Sequence, residues 1–225
     1  MQNILELNMS NICLTYFFFC AIFMIYEEKG MSVEIQENIF KSSNIAFFEK
    51  MSKSELETFL KNIGGKTICF TGHRPNHLPW GYNEDCDMCK EFKAKLLNLV
   101  AVCAKCGFET FISGVALGVD TFACDSVLAV KNKIPNVDLV LAIPCKNQPE
   151  KWGEVDKQRY NDILSRANPV FVSTNYYQGC FIKRNHFMVD KADLVIACFD
   201  NQKGGTKSTV DYALKKNKSI LFIKP

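Results

Sequence analysis

The sequence has no strong excess of charge. Its 27 lysines and arginines face 24 aspartates and glutamates, for a net charge of +3. That balance argues against the steep phosphate-backbone attraction of a dedicated nucleic-acid binder, so nucleic acid is not expected as a partner. Internal repeats and low-complexity tracts are also missing, which leaves an ordinary globular chain. No apolar run is long enough to span a bilayer comfortably. The longest, from Ile12 to Tyr26, is interrupted only by Thr15, and as a helix it would reach roughly 22 Å against a hydrocarbon core of about 30 Å. The residues ahead of it hold no lysine or arginine, Glu6 being their only charge, and no Ala-x-Ala-like site follows. A signal peptide is therefore not indicated.

What is present divides into three parts. Residues 1–30 form an apolar extension with two readings: a marginal membrane segment over 12–26, or a stretch not translated natively. The second follows from Glu27-Glu28-Lys29-Gly30 ahead of Met31, because the purine-dominated codons for those residues would resemble a ribosome-binding site. Residues 31–65 form a connecting helical segment. There Ser52-Lys53-Ser54-Glu55 reads as a capping box, Leu56, Phe59, Leu60 and Ile63 as an apolar stripe, and Gly64-Gly65 as the stop. Residues 66–225 form the main domain, with 48% apolar content across the chain to build a core. Eleven cysteines are scattered through strand and helix patterns, as buried thiols are in a reducing compartment, so a cytoplasmic protein is expected. A membrane enters only if 12–26 is a genuine anchor.

The main domain alternates strand and helix. Strands are expected over 67–71, 110–113, 137–143, 170–173, 193–199 and 219–223, with helices near 85–106, 117–131, 151–167, 181–190 and 206–217. Continuous apolar strands alternating with helices point to an α/β fold, a Rossmann-like doubly wound parallel sheet of about six strands with helices on both faces. Two Cys-x-x-Cys pairs, Cys86 with Cys89 and Cys103 with Cys106, have zinc-like spacing. Yet Cys89, Phe92, Leu96, Leu99, Cys103 and Cys106 recur in steps of three and four, the stripe of one helix, which would hold the pairs roughly 25 Å apart. They read as small buried hydrophobes, and no metal site is assigned.

Candidate chemistry lies in three turns that each follow a strand and precede a helix. In Thr71-Gly72-His73-Arg74-Pro75 the glycine lets a ligand approach the backbone, and Arg74 offers a fork for phosphate or carboxylate. In Ser113-Gly114-Val115-Ala116-Leu117-Gly118-Val119-Asp120, Ser113 and Gly114 are candidate anion donors and Gly118 allows close packing. Asp120 either complements the helix dipole or accepts hydrogen bonds from a ribose or base. In Gly204-Gly205-Thr206 the threonine is a candidate N-cap. Arg184 and Asn185 open the helix ahead of that last strand and can share the crevice with His73, Asp120 and the glycine turn.

These stretches, with Ala142-Ile143-Pro144-Cys145-Lys146-Asn147-Gln148, Lys183-Arg184-Asn185, Met188-Val189-Asp190 and Gly204-Gly205-Thr206-Lys207, resemble the YpsA/YoqJ-like family of bacterial and prophage proteins in the SLOG superfamily. The resemblance covers 66–225. It implies a binding module for a nucleotide-derived small molecule, an NAD or ADP-ribose derivative, acting as sensor, regulator or sequestering protein. It implies no required cofactor beyond such a bound nucleotide, and, since related domains often pair, a homodimer. Ligand contacts are expected from Gly72, His73, Arg74, Ser113, Gly114, Gly118, Asp120, Arg184, Asn185, Gly204, Gly205 and Thr206. No residue is assigned a catalytic role. Two alternatives stand beside this reading. One is a nucleoside-monophosphate N-glycosidase like the phosphoribohydrolases, which Arg184 and Met188 fit but Thr209, at the position of their motif's glutamate, does not. The other is single-stranded DNA binding like that of DprA, with Lys203, Lys207, Lys215, Lys216 and Lys218 as a basic end.

Overall fold

Apolar strand runs punctuated by amphipathic stretches leave the backbone one economical arrangement, a parallel sheet covered by helices. The computed structural model describes residues 44–199 and 204–225. Along them run β1 (Ile45–Phe47), α1 (Lys53–Ile63), β2 (Thr67–Gly72), α2 (Asp87–Lys105), β3 (Thr110–Ser113), α3 (Val119–Lys131) and β4 (Asp138–Ile143). Then come α4 (Glu154–Arg166), β5 (Asn168–Phe171), α5 (Cys180–Lys191), β6 (Leu194–Cys198), α6 (Gly205–Lys215) and β7 (Ser219–Ile223). The readings made on the apolar run 12–26, the Met31 start and Lys203 lie outside the described residues.

The sheet has seven strands in the order β1-β7-β6-β2-β3-β4-β5, and every pairing is parallel. It is the expected doubly wound, Rossmann-like α/β sheet with one strand more than about six. The extra strand is β1, which pairs Ile45 with Ile220, Ala46 with Leu221 and Phe47 with Phe222. Only its central residue is buried, so it shows no readable period; Phe47 stacks on Phe222 with centroids 5.2 Å apart. The strand expected over 170–173 runs instead over Asn168–Phe171. All four of its residues are exposed at the sheet edge, so burial left no pattern to read, and Pro169 is tolerated there because an edge strand need not donate on both sides.

Helices α1 to α4 pack in one layer and α5 with α6 in the other. Phe92, Leu96 and Leu99 of α2 join Phe122 and Val127 of α3 over Ile68, Phe70, Phe111 and Leu139, forming the main core. Cys89 and Cys103 belong to the same buried face, while Cys86 and Cys106 cap the two ends of α2. Burial pushes the Cys69, Cys103 and Cys124 thiols far up, which keeps them protonated and inert. At α1 the capping box is formed: Ser52 Oγ accepts from the Glu55 amide at 3.3 Å and the Glu55 carboxylate accepts from the Ser52 amide at 2.7 Å. Gly64 ends the helix in the left-handed conformation at φ +67°. Among the described residues no helix is long and apolar enough to cross a membrane.

The order in which strands are added reverses between β2 and β6. From β2 the sheet grows through β3, β4 and β5, whereas β6 and β7 return to its other side. The connections leaving β2 and β6 therefore run to opposite faces and open a crevice at the carboxyl ends of the strands. Its geometry depends on Gly118, at φ +93°, where a Cβ would stand 2.6 Å from the His73 carbonyl oxygen. That carbonyl also accepts the first amide of α3, from Val119, at 3.2 Å. Replacing Gly118 with Ala is expected to reduce unfolding free energy by about 2–3 kcal/mol, measured by urea denaturation. An unchanged midpoint would show that the close approach of the two turns is not needed.

Candidate functional site

The turn after β3 is strained. Val115 sits at φ +46°, a conformation that β-branched residues seldom adopt. Three contacts hold it there: its amide donates to Ser113 Oγ at 3.2 Å, its carbonyl accepts from Gln148 Nε2 at 3.2 Å, and its side chain is fully buried. The same Gln148 nitrogen also reaches the Gly114 carbonyl at 3.1 Å. The result is a concave backbone into which Asp120 turns. Ala116 N–H lies 3.5 Å from Asp120 Oδ2, and Ser113 Oγ donates to the Asp120 carbonyl at 2.9 Å.

Asp120 is buried with Arg184, whose Nη1 stands 3.9 Å from Oδ2. Loss of hydration lifts the Asp120 carboxyl above the ordinary carboxylate range, opposed by the Arg184 charge and by the Ala116 and Gly114 amides. Burial likewise lowers the Arg184 guanidinium, opposed by Asp120. Arg184 lies flat against Gly114, where a Cβ would overlap Nη1. Its Nε donates to Asn185 Oδ1 at 2.8 Å and Nη1 to the Ala142 carbonyl at 3.4 Å. Among the described residues Nη2 has no partner, so two N–H groups of an almost fully buried guanidinium remain open on the cavity that Arg184 lines.

That cavity measures about 790 Å³, within the range of small-molecule sites. Of the residues expected from sequence, Gly72, His73, Arg74, Asp120, Arg184, Asn185, Gly204, Gly205 and Thr206 line it together. Ser113, Gly114 and Gly118 do not. Ser113 is buried and engaged by the strained turn, Gly114 makes room for Arg184, and Gly118 makes room for His73. The donors expected to face a ligand at this turn are directed at the protein's own Asp120. At the third turn Gly204, not Thr206, is the N-cap, and Thr206 is the second residue of α6. Among the described residues, the start of α6 has no side-chain cap and no acid in its first turn, and nothing stands within 4 Å of where a Cβ would sit on Gly204 or Gly205. Its first amides are thus available to an anion.

Among the lining residues that the sequence did not assign are Tyr82, Trp152, Asp156 and Phe181. Trp152 is an aromatic residue in a connection that follows a strand, a pattern that packing explains equally well. Asp156 carried no local signal. Among the described residues no group of three His, Cys, Asp or Glu side chains is placed to hold a metal ion.

A doubly wound parallel sheet with a crevice at its switch point defines the Rossmann-like α/β class. The YpsA model, described as the YspA SLOG family, matches residues 68–224, and the chain belongs to that family. It is 30% identical over 139 residues to the uncharacterized SPbeta prophage-derived protein YoqJ of Bacillus subtilis (strain 168), across 56% of this chain and 81% of that one. It is 28% identical over 158 residues to a UPF0398 protein of Bacillus thuringiensis (strain Al Hakam), across 69% and 85% of the two chains. Among solved structures, DNA processing protein A from Helicobacter pylori, studied for its single-stranded DNA binding mode, aligns with a TM-score of 0.49 and 22% identity, covering 75% of this chain and 68% of that one. The expectation against a nucleic-acid partner does not hold as made: this neighbour, a likeness of fold alone, is described by its single-stranded DNA binding. Net charge, on which that expectation rested, averages over a whole surface and does not describe a local cluster such as Arg74 and Lys151 on the crevice wall.

Replacing Arg184 with Ala leaves Asp120 buried and unpaired, and should destabilise the fold by about 3–5 kcal/mol near neutral pH. A carboxyl whose folded pKa lies above its unfolded value contributes stability at low pH that is lost as pH rises through the folded value. Urea unfolding should therefore show the R184A deficit shrinking as pH falls, and Asp120→Asn in the same background should recover part of it. A deficit independent of pH, with no recovery in the double variant, would show that the two groups are not coupled.

Proposed function

We propose that this chain is a binding module for a nucleotide-derived small molecule, an NAD or ADP-ribose-like species, and acts as a sensor, regulator or sequestering protein. The observation that carries the reading is the open half of the Arg184 guanidinium in a cavity that also receives the uncapped start of α6. Arg74 adds an exposed cation on the same wall. Buried, preoriented N–H donors of this kind suit phosphate oxygens, which accept two parallel bonds from a guanidinium and further bonds from a helix N-terminus.

Binding without turnover is favoured over N-glycosidic hydrolysis by the state of Thr209. Its hydroxyl donates to the Gly205 carbonyl and accepts from Asn185 Nδ2, each at 2.8 Å, and the residue is buried. It offers no carboxylate to stabilise charge on a ribose. Asp211, the nearby acid on α6, is ion-paired with Lys207.

A second reading, single-stranded DNA binding, is favoured by one feature of the rim. Arg74 lies over the Phe181 ring at 5.9 Å, Phe181 meets Tyr176 edge-on at 6.4 Å, and Tyr176 and Tyr177 are exposed. Cations and rings in series are how bases are stacked along a groove.

Thermal unfolding with added ADP-ribose, NAD or AMP tests the main reading. A ligand present at a hundred times its Kd should raise Tm by about 5–10 °C and be recovered unchanged. Arg184→Lys keeps the charge but loses the fork, and should weaken binding about tenfold or more while the protein stays folded. Release of free base would establish the hydrolase instead. No response to any nucleotide, with oligonucleotide binding that falls steeply with salt, would favour the second reading.

A further inference from the structure

The two ends of the crevice differ in chemistry. The β2 and β6 side carries Arg74 and the start of α6, all donors. On the β4 side stand two rings and an acceptor: Trp152 from the connection into α4, Asp156 from the first turn of α4, and Tyr82 from the connection after β2. The second group is held in place from outside the cavity. Glu84, two residues after Tyr82, accepts from Arg159 of α4 at 2.9 and 3.0 Å and from Lys93 of α2 at 2.6 Å. Arg159 is itself paired with Asp125 of α3. Trp152 is braced edge-on by Tyr160, with centroids 5.6 Å apart and an interplanar angle of 88°.

What this fixed group lacks is partners. Among the described residues the half-buried Trp152 has no acceptor for its indole N–H, and the Asp156 carboxylate has neither an ion pair nor a hydrogen bond. A half-buried indole ordinarily finds an acceptor, and a carboxylate in the first turn of α4, lining a cavity, is suited to the hydroxyls of a ribose or the amino group of a base.

We propose that Trp152, Asp156 and Tyr82 form a nucleoside subsite at the β4 end, and that the ligand is a diphosphate-bridged nucleotide lying across the sheet edge with an anionic group at α6. This rests on the nucleotide reading above and fixes its polarity and length. From β6 to β4 there are three strand spacings, roughly 14 Å at the usual separation. One ribose between a 5′-phosphate and its base does not bridge that distance; a diphosphate linkage does. The base stacks on Trp152, Asp156 accepts from the sugar or base, and the diphosphate passes Arg184 on its way to α6.

The chain has two tryptophans, and Trp80 is buried against Phe92, so Trp80→Phe in the full chain leaves Trp152 as the sole indole reporter. In that background ADP-ribose should quench the emission, whereas ribose 5-phosphate should bind, by calorimetry, without quenching. Trp152→Ala should weaken ADP-ribose binding about 5- to 150-fold, Trp152→Phe should retain most of the affinity, and Asp156→Asn should lose about tenfold. Ribose 5-phosphate affinity should be unchanged in all three. If ADP-ribose binds by calorimetry with Trp152 emission and W152A affinity unaltered, the subsite is wrong and the nucleotide reading survives. If neither nucleotide nor sugar phosphate binds, both fall. Quenching by a short oligothymidylate but not by ADP-ribose would overturn the subsite in favour of a polynucleotide strand.

Discussion

A carboxylate and a guanidinium buried together, yet 3.9 Å apart, set the terms for everything around them. Removing two charges from water costs more than a loose pair returns, unless further hydrogen bonds make up the difference. Here they extend in both directions. Asp120 takes an amide from the strained turn after β3, and Arg184 passes a bond to Asn185, Asn185 to Thr209, and Thr209 to the Gly205 carbonyl. One continuous chain of contacts thus links α3 through α5 to the start of α6. Its effect is to fix the separation between the open face of Arg184 and the open amides of α6.

The fold supplies the conditions for this chain. Because β2 and β6 are neighbours while their following helices lie on opposite faces, α5 must cross beneath the sheet to reach β6 and brings Arg184 under the ends of β3 and β4. Glycine at 114 is what admits the guanidinium. The strain at Val115 is retained because Gln148, from the connection after β4, takes up both carbonyls of the turn. The buried Gln148 Oε1 is left without a partner among the described residues, so the clamp is not free of cost.

Local features were legible in the sequence wherever burial wrote a period. The stripe from Cys89 to Cys103, the capping box at Ser52 and the strand over Thr110–Ser113 are read directly from spacing. β1, with three residues, was not, and β5, with no buried face, was placed two residues too far along. Within the site, the glycine turns and Arg184 were visible, but the direction of the Ser113 and Gly114 donors was not. Those donors turn inward because Asp120 is recruited by Arg184 from more than sixty positions away, a pairing no local pattern encodes. The N-cap falls two residues ahead of Thr206 for a smaller reason: Gly204 takes that position and the helix begins at Gly205.

The most direct measurement is the side-chain nitrogen NMR spectrum of the full chain labelled at arginine, recorded with and without ADP-ribose. If Asp120 holds the Arg184 fork ready for an anion, the Arg184 Nε and Nη signals should shift and their rotation should slow as ligand is added, together with the backbone amides of Gly205 and Thr206. Bound ligand with the Arg184 signals unmoved would contradict the account.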